Sequence, residues 1–263
     1  MTEPAGTEIK GIIFDLGSTL IRFDGEWPAV FALADDTLLA ELARAGLALD
    51  GPAFISRYRE FLQTFYAQRE SEFVEYTAAY LLREALKEFE VEALPDEVLD
   101  RVLAARYAVS EAHWHPMPTV HETLSGLRDA GHKLGLVSNA SDTANVQRLI
   151  DRSELRAYFD PILVSAALGI RKPNPRIFQI VLEQWGLAPT QVVVVGDTLG
   201  ADILGAQNAG IRGIWLTVQA DGPANRAHEG TIVPDAVAAS LNELPALIRS
   251  FDSNHVSSTR REV

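Results

Sequence analysis

The 263-residue chain contains no cysteine. That excludes a disulfide framework, a thiolate zinc site and a cysteine nucleophile. It has no apolar run near the ~18 residues needed to cross a bilayer. Its first residues, Met1 to Gly6, lack the basic and then apolar order of an export leader. A soluble cytoplasmic protein is expected. Positive charge is scarce: 23 Lys and Arg stand against 36 Asp and Glu, for a formal net charge of −13. The resulting field repels polyanions, which excludes nucleic acid and anionic membrane as main partners but leaves room for a local basic pocket around one phosphate. The 47% hydrophobic content supports a large buried core. There is no internal repeat or low-complexity tract, and nothing in the pattern specifies an oligomeric state.

Ile12-Ile13-Phe14 reads as a strand, after which strand signals stop for roughly ninety residues. Apolar residues then recur at helical spacing in four sets. They are Phe31, Ala34, Leu38, Leu42; then Phe54, Tyr58, Phe61, Phe65; then Val74, Ala78, Leu81, Ala85; and last Val98, Val102, Ala105, Val109. Four amphipathic helices in a small bundle follow from this, with Phe73 and Tyr76 adding to its aromatic core. From Thr119-Val120-His121-Glu122, read as a capping box, helices and strands alternate. Strands fall at Leu134 to Val137, Ile162 to Val164, Val192 to Val195 and Ile214 to Leu216. Helices fall around Thr143 to Ile150, Pro175 to Trp185 and Asp202 to Ala209, the last two closed by Gly186 and Gly210. The fold class is α/β: a Rossmann-like parallel sheet with helices on both faces, carrying an all-α insertion. The expected division is 1–22 and 116–252 as the α/β core, 23–115 as a helical cap, and 253–263 as a disordered tail.

Four segments concentrate the polar chemistry. They are Phe14-Asp15-Leu16-Gly17-Ser18-Thr19-Leu20, Leu136-Val137-Ser138-Asn139, Gly169-Ile170-Arg171-Lys172-Pro173-Asn174-Pro175 and Val195-Gly196-Asp197-Thr198-Leu199-Gly200-Ala201-Asp202. Each follows an apolar strand directly or by a few residues, so all should meet at the carboxyl edge of the sheet, where ligands bind in such folds. A carboxylate after the first strand is placed to attack phosphorus and divide one hard displacement into two easier ones. A dianionic ester repels that carboxylate. Lys172 offers one compensating charge, and magnesium, held by hard oxygen ligands from Asp15, Asp197 and Asp202, offers two. Ser138 and the backbone amide of Asn139 are candidate donors to a phosphate oxygen.

These segments, in this order, resemble the haloacid dehalogenase-like hydrolase superfamily, in a member with a helical cap inserted after the first motif. The resemblance covers Gly11 to about Leu247 and is most specific in Lys172-Pro173-Asn174-Pro175 and in the Gly196-Asp197 and Asp202 pattern. It implies a five-stranded core sheet, Asp15 as nucleophile, and Thr19 and Ser138 holding the nucleophile and phosphoryl oxygens. It further implies Lys172 as the neutralising cation, Asn139 and Ser138 at the substrate, and magnesium on Asp15, the Gly17 carbonyl, Asp197 and Asp202. The substrate would be a small phosphorylated molecule.

One position departs from the phosphatase pattern. Where those enzymes carry a second aspartate, two residues after the nucleophile, this chain has Gly17. The carbonyl survives the change; the acid/base side chain does not. Substrates with good leaving groups, such as sugar 1-phosphates or acyl phosphates, are one consequence, and an acid recruited from Asp24 or Glu26 is another, although both read better as solvated linker charges. The change also opens alternatives: a 2-haloacid dehalogenase, a phosphonate-cleaving enzyme with Lys87 as its cap amine, or a non-catalytic sensor of phosphorylated ligands. The late carboxylates argue against the first. Lys87 reads as a surface partner of Glu84 and Glu88. His113 and His115 read as part of a stiff hinge strand rather than as metal ligands; Arg57 and Arg59 could reach into the cap cavity to grip an anionic substrate, but read better as solvated cap arginines.

Overall fold

The computed structural model describes residues 8–253. The expected tail therefore lies outside the described residues except Ser253, which ends the last helix. Six strands form a wholly parallel sheet. They are β1 (Gly11–Phe14), β4 (Lys133–Ser138), β5 (Ile162–Val164), β6 (Val192–Gly196), β7 (Arg212–Leu216) and β8 (Ala236–Ala238), in the order β5-β4-β1-β6-β7-β8. The sixth, β8, pairs with β7 through Ile214 and Ala236 and corrects the five-stranded expectation. Strand residues alternate between two cores: Ile12, Phe14, Val193 and Val195 pack on one face, and Ile13, Val192 and Val194 on the other. Covering both faces is what turns these strands into unbroken apolar runs. Helices α5 (Val120–Asp129), α6 (Thr143–Arg152), α7 (Ser165–Leu168), α8 (Arg176–Trp185), α9 (Leu204–Asn208), α10 (Pro223–Arg226) and α11 (Leu244–Ser253) supply the rest of this unit.

Between the first strand and the remainder of the sheet lie α1 (Trp27–Arg44), α2 (Gly51–Glu72), α3 (Ala78–Lys87) and α4 (Asp96–Glu111). They enclose their own apolar cluster, with Leu38, Leu42, Phe54, Tyr58, Leu82, Leu86, Leu99 and Val102 buried in it. A two-stranded antiparallel ribbon of β2 (Ile21–Phe23) and β3 (Trp114–Pro116) carries the chain in and out of these helices. His113 and His115 thus sit at the hinge, where both approach Asp24, at 3.5 and 3.0 Å.

Three local expectations are corrected. Phe31 is half exposed, and Val30 takes its place in the buried stripe of α1. The third helix begins at Ala78, not Val74, because the Thr77 hydroxyl accepts from the Tyr80 amide as a true N-cap. Val74 instead bridges Ile170. Thr119 makes no capping box, since its φ of 61° departs from the extended backbone that a capping side chain requires.

Candidate active site

The chain leaves β1 for β4 and β5 on one side and returns through β6 to β7 and β8 on the other, so the carboxyl ends of β1, β4 and β6 border the point where strand order reverses. Crevices at such points bind ligands. Asp15 follows β1, Ser138 ends β4 with Asn139 next to it, and Asp197 follows β6. A cavity of about 1360 Å³ opens there, walled also by α1, α2 and α4. Asp15, Gly17, Ser138, Asn139, Lys172, Asp197 and Asp202 all line it.

Lys172 is the organising cation. It is buried, and its Nζ donates to Asp15 Oδ1 at 2.6 Å and to the Val137 carbonyl at 2.8 Å, and lies 2.7 Å from Asp202 Oδ1. Burial alone would lower its pKa, but the carboxylates of Asp15 and Asp202 override that and raise it, so the ammonium stays charged. The Asn139 side chain fixes the backbone of Lys172 at both ends: Nδ2 donates to its carbonyl at 3.0 Å and Oδ1 accepts from its amide at 2.9 Å. The sequence reading gave Asn139 a backbone role toward substrate; its side chain proves to be a clamp on the lysine loop.

Asp15, Asp197 and Asp202 each present a carboxylate oxygen within 4.8 Å of the others. One ammonium faces three carboxylates, and two of them, Asp15 and Asp197, are held above the usual carboxylate range. Burial pushes Asp15 up to about 6, against the pull of Lys172. Burial and the charges of Asp15 and Asp202 push Asp197 up to about 8. Hard oxygen donors short of positive charge fit a divalent cation such as magnesium.

Local backbone sets these positions. Asp202 sits in a wide π-helical turn, Leu199–Ile203, a form frequent at functional sites. Its Oδ2 accepts from the Thr198 amide at 3.0 Å. A Cβ on Gly196 would lie 2.2 Å from Asp202 Cγ, so only glycine lets that carboxylate seat. Trp215 Nε1 and Asn225 Nδ2 both donate to the Asp197 carbonyl, each at 2.8 Å. Thr19, fully buried, donates to Asp197 Oδ1 at 3.3 Å. Ser138 is buried at the cavity wall.

A Cβ on Gly17 would meet the indole of Trp114 at 3.5 Å. An aromatic edge therefore stands beside the position where a second aspartate would project. Asp24, drawn to the hinge histidines, and Glu26 do not line the cavity. Lys87 is exposed, pairs with Glu84 and is likewise outside it. Arg57 pairs with Glu88 and Glu60 at the surface. Arg59 does reach the cavity, with Arg106 and Asp35, and no sequence motif marks that group.

A profile of the haloacid dehalogenase-like hydrolase family matches residues 9–210. The chain belongs to that family and is a hydrolase. It is 28% identical over 208 residues to a glyceraldehyde 3-phosphate phosphatase of Pyrococcus furiosus, covering 79% of this chain and 80% of that protein. Over 134 residues, 51% of this chain and 56% of the other, it is 36% identical to a pyrimidine 5'-nucleotidase of Escherichia coli. A crystal structure of a 2-haloacid dehalogenase from Pseudomonas syringae superposes with a TM-score of 0.65 at 26% identity, over 92% of this chain and 99% of that one. No helix among the described residues is long and apolar enough to cross a membrane.

Proposed function

We propose that the protein is a magnesium-dependent phosphatase of small phosphorylated metabolites that works through an aspartyl-phosphate on Asp15. The observation that carries this reading is the seating of Asp15 on a buried ammonium within a cluster of three carboxylates. The printed activities of the Pyrococcus and Escherichia relatives support it. In the first step an Asp15 oxygen forms a bond to phosphorus as the ester P–O bond breaks and the alcohol oxygen departs, taking a proton from solvent. In the second, water attacks phosphorus and gives a proton to solvent, the Asp15–phosphorus bond breaks, and phosphate and the free carboxylate are released. Lys172 holds Asp15 in place and offsets negative charge during both steps. Asp15, Asp197, Asp202 and the Gly17 carbonyl are assigned as the magnesium ligands, and the ion when bound supplies two positive charges against those of the phosphoryl group. Ser138 is assigned as a donor to the phosphoryl oxygens. Residues 23–115 are assigned as a cap over a core of which 8–22 and 116–252 are described, so α1, α2 and α4 select the substrate.

Magnesium should support release of phosphate from sugar 1-phosphates, acyl phosphates and nitrophenyl phosphate, and EDTA should stop it. Chloride release from 2-chloropropionate without phosphate release from any ester would overturn the reading in favour of the dehalogenase. That alternative is disfavoured because its chemistry needs no three-carboxylate cluster, and the phosphonate-cleaving alternative because Lys87 lies outside the cavity.

With Trp114 beside Gly17 and no second carboxylate there, the departing oxygen receives little help from a general acid, so good leaving groups should be preferred. Gly17→Asp has room for its Cβ, and general acid catalysis is worth about 10²–10⁴-fold. The gain should concentrate on esters of poorly acidic alcohols. A leaving-group series on both proteins measures this, and equal gains across it would count against the assignment.

A further inference from the structure

On the wall of the cavity contributed by α1, α2 and α4, two arginines share one carboxylate. Asp35, on α1, is buried. Its Oδ2 accepts from Arg59 of α2, at 2.7 Å from Nε and 2.6 Å from Nη2. Its Oδ1 accepts from Arg106 of α4 at 3.3 Å. Two guanidinium groups against one carboxylate leave one positive charge in excess. Arg106 has a side chain 15% exposed, and its Nε is buried with no hydrogen-bond partner. A guanidinium carries five donors, and a buried donor left unmade is costly. All three residues line the cavity that holds Asp15 and Lys172.

One arginine on Asp35 would tie two of these helices at neutral charge. The second arginine makes the cluster net cationic, and it does so inside a chain whose overall charge is −13. Asp35 holds the pair in place without neutralising it. Tyr66 and Gln63 of α2 line the same wall and add hydrogen-bonding capacity beside the charge. The phosphoryl end of a substrate is already matched by Lys172 and the acidic cluster, so this second positive site is available to a different group on the same molecule.

We propose that Arg59 and Arg106, preset by Asp35, form a subsite for a second anionic group, a carboxylate or a further phosphate, on the molecule whose phosphoryl group meets Asp15. This deepens the phosphatase reading and rests on it for the orientation of the ligand. Planar guanidinium groups suit either oxyanion through paired N–H donors. The substrates preferred are then phosphate esters with a negative charge at their far end, rather than esters of neutral alcohols.

The test uses binding rather than turnover. Phosphonates ending in a carboxylate, with chains of two to six carbons, are compared with alkylphosphonates of equal length by calorimetry on the full chain with magnesium. At one length the carboxylated ligand should bind at least tenfold more tightly, and Arg106→Met should erase that difference while leaving affinity for the alkylphosphonate unchanged. Arg59→Met is the second variant, since its side chain is 53% exposed against 15% for Arg106 and is the less buried of the two. A merely structural role would lower Tm in these variants without touching the discrimination. Equal affinity for both series at every length, or discrimination that survives in both variants, would overturn the subsite. If discrimination is found but no phosphate ester is turned over, the subsite stands and the phosphatase reading falls.

Discussion

Asp15→Asn should abolish turnover, with kcat falling by at least about 10³-fold, because the amide oxygen cannot form the bond to phosphorus that divides the reaction. The same change should leave the metal-free protein more stable than the wild type at neutral pH. Burial raises the pKa of Asp15 from 3.8 to about 6, so the folded state disfavours its ionised form. With the folded pKa above the unfolded one, that cost is absent below about pH 4, grows between pH 4 and 6, and is complete above. At about 1.4 kcal/mol per pH unit the penalty reaches at most ~3 kcal/mol, and each ~1 kcal/mol moves Tm by roughly 2–4 °C in a chain of this size. In EDTA, the variant and wild type should melt together near pH 4, and the variant should melt several degrees higher at pH 7.5. Retained turnover would remove Asp15 as nucleophile. A melting difference independent of pH would remove burial as the source of its shifted titration.

The centre could be read in the chain for a local reason. Asp15, Lys172, Asp197 and Asp202 each stand next to a feature with a strong local signal: the end of an apolar strand, a run of prolines, or Gly196. Val192 to Val195 was recognisable as a strand because helices cover both faces of it. The pieces missed have no such local cause. Ala236–Ala238 is a short edge strand of small residues, defined only by its pairing with Ile214 to Leu216. Asn139 acts on Lys172 across 33 positions, and the sequence around it is ordinary turn chemistry. Asp35 meets Arg59 and Arg106 across 24 and 71 positions on separate helices, and each alone is an unremarkable charged residue on a helix. Trp114 lies on β3, and its approach to Gly17 depends on the β2–β3 ribbon bringing residues nearly a hundred positions apart together.

Lys172→Ala should be damaging twice over, and the two effects can be separated by metal. The buried ammonium makes close contacts with Asp15 and Asp202, so deleting it leaves three carboxylates with no cation among them. Breaking a buried pair from one side costs about 3–5 kcal/mol, mainly through the charge left uncompensated. Tm in EDTA should therefore fall by about 10 °C. Magnesium binding to the surplus carboxylates should recover part of this, because a ligand that binds only the folded state stabilises by mass action. Activity should not recover with it: kcat should remain down by about 10²–10⁴-fold, since magnesium on the acidic cluster does not replace the separate positive charge assigned to the Lys172 position. Lys172→Arg should do little better. Its guanidinium keeps the charge but is wider than an ammonium seated at 2.6–2.8 Å between Asp15, Asp202 and the Val137 carbonyl. Thermal melts with and without magnesium, run beside single-turnover assays, distinguish the two losses. A Lys172→Ala protein within tenfold of wild-type kcat would show that the lysine only holds the fold, and that charge neutralisation in the reaction comes from elsewhere.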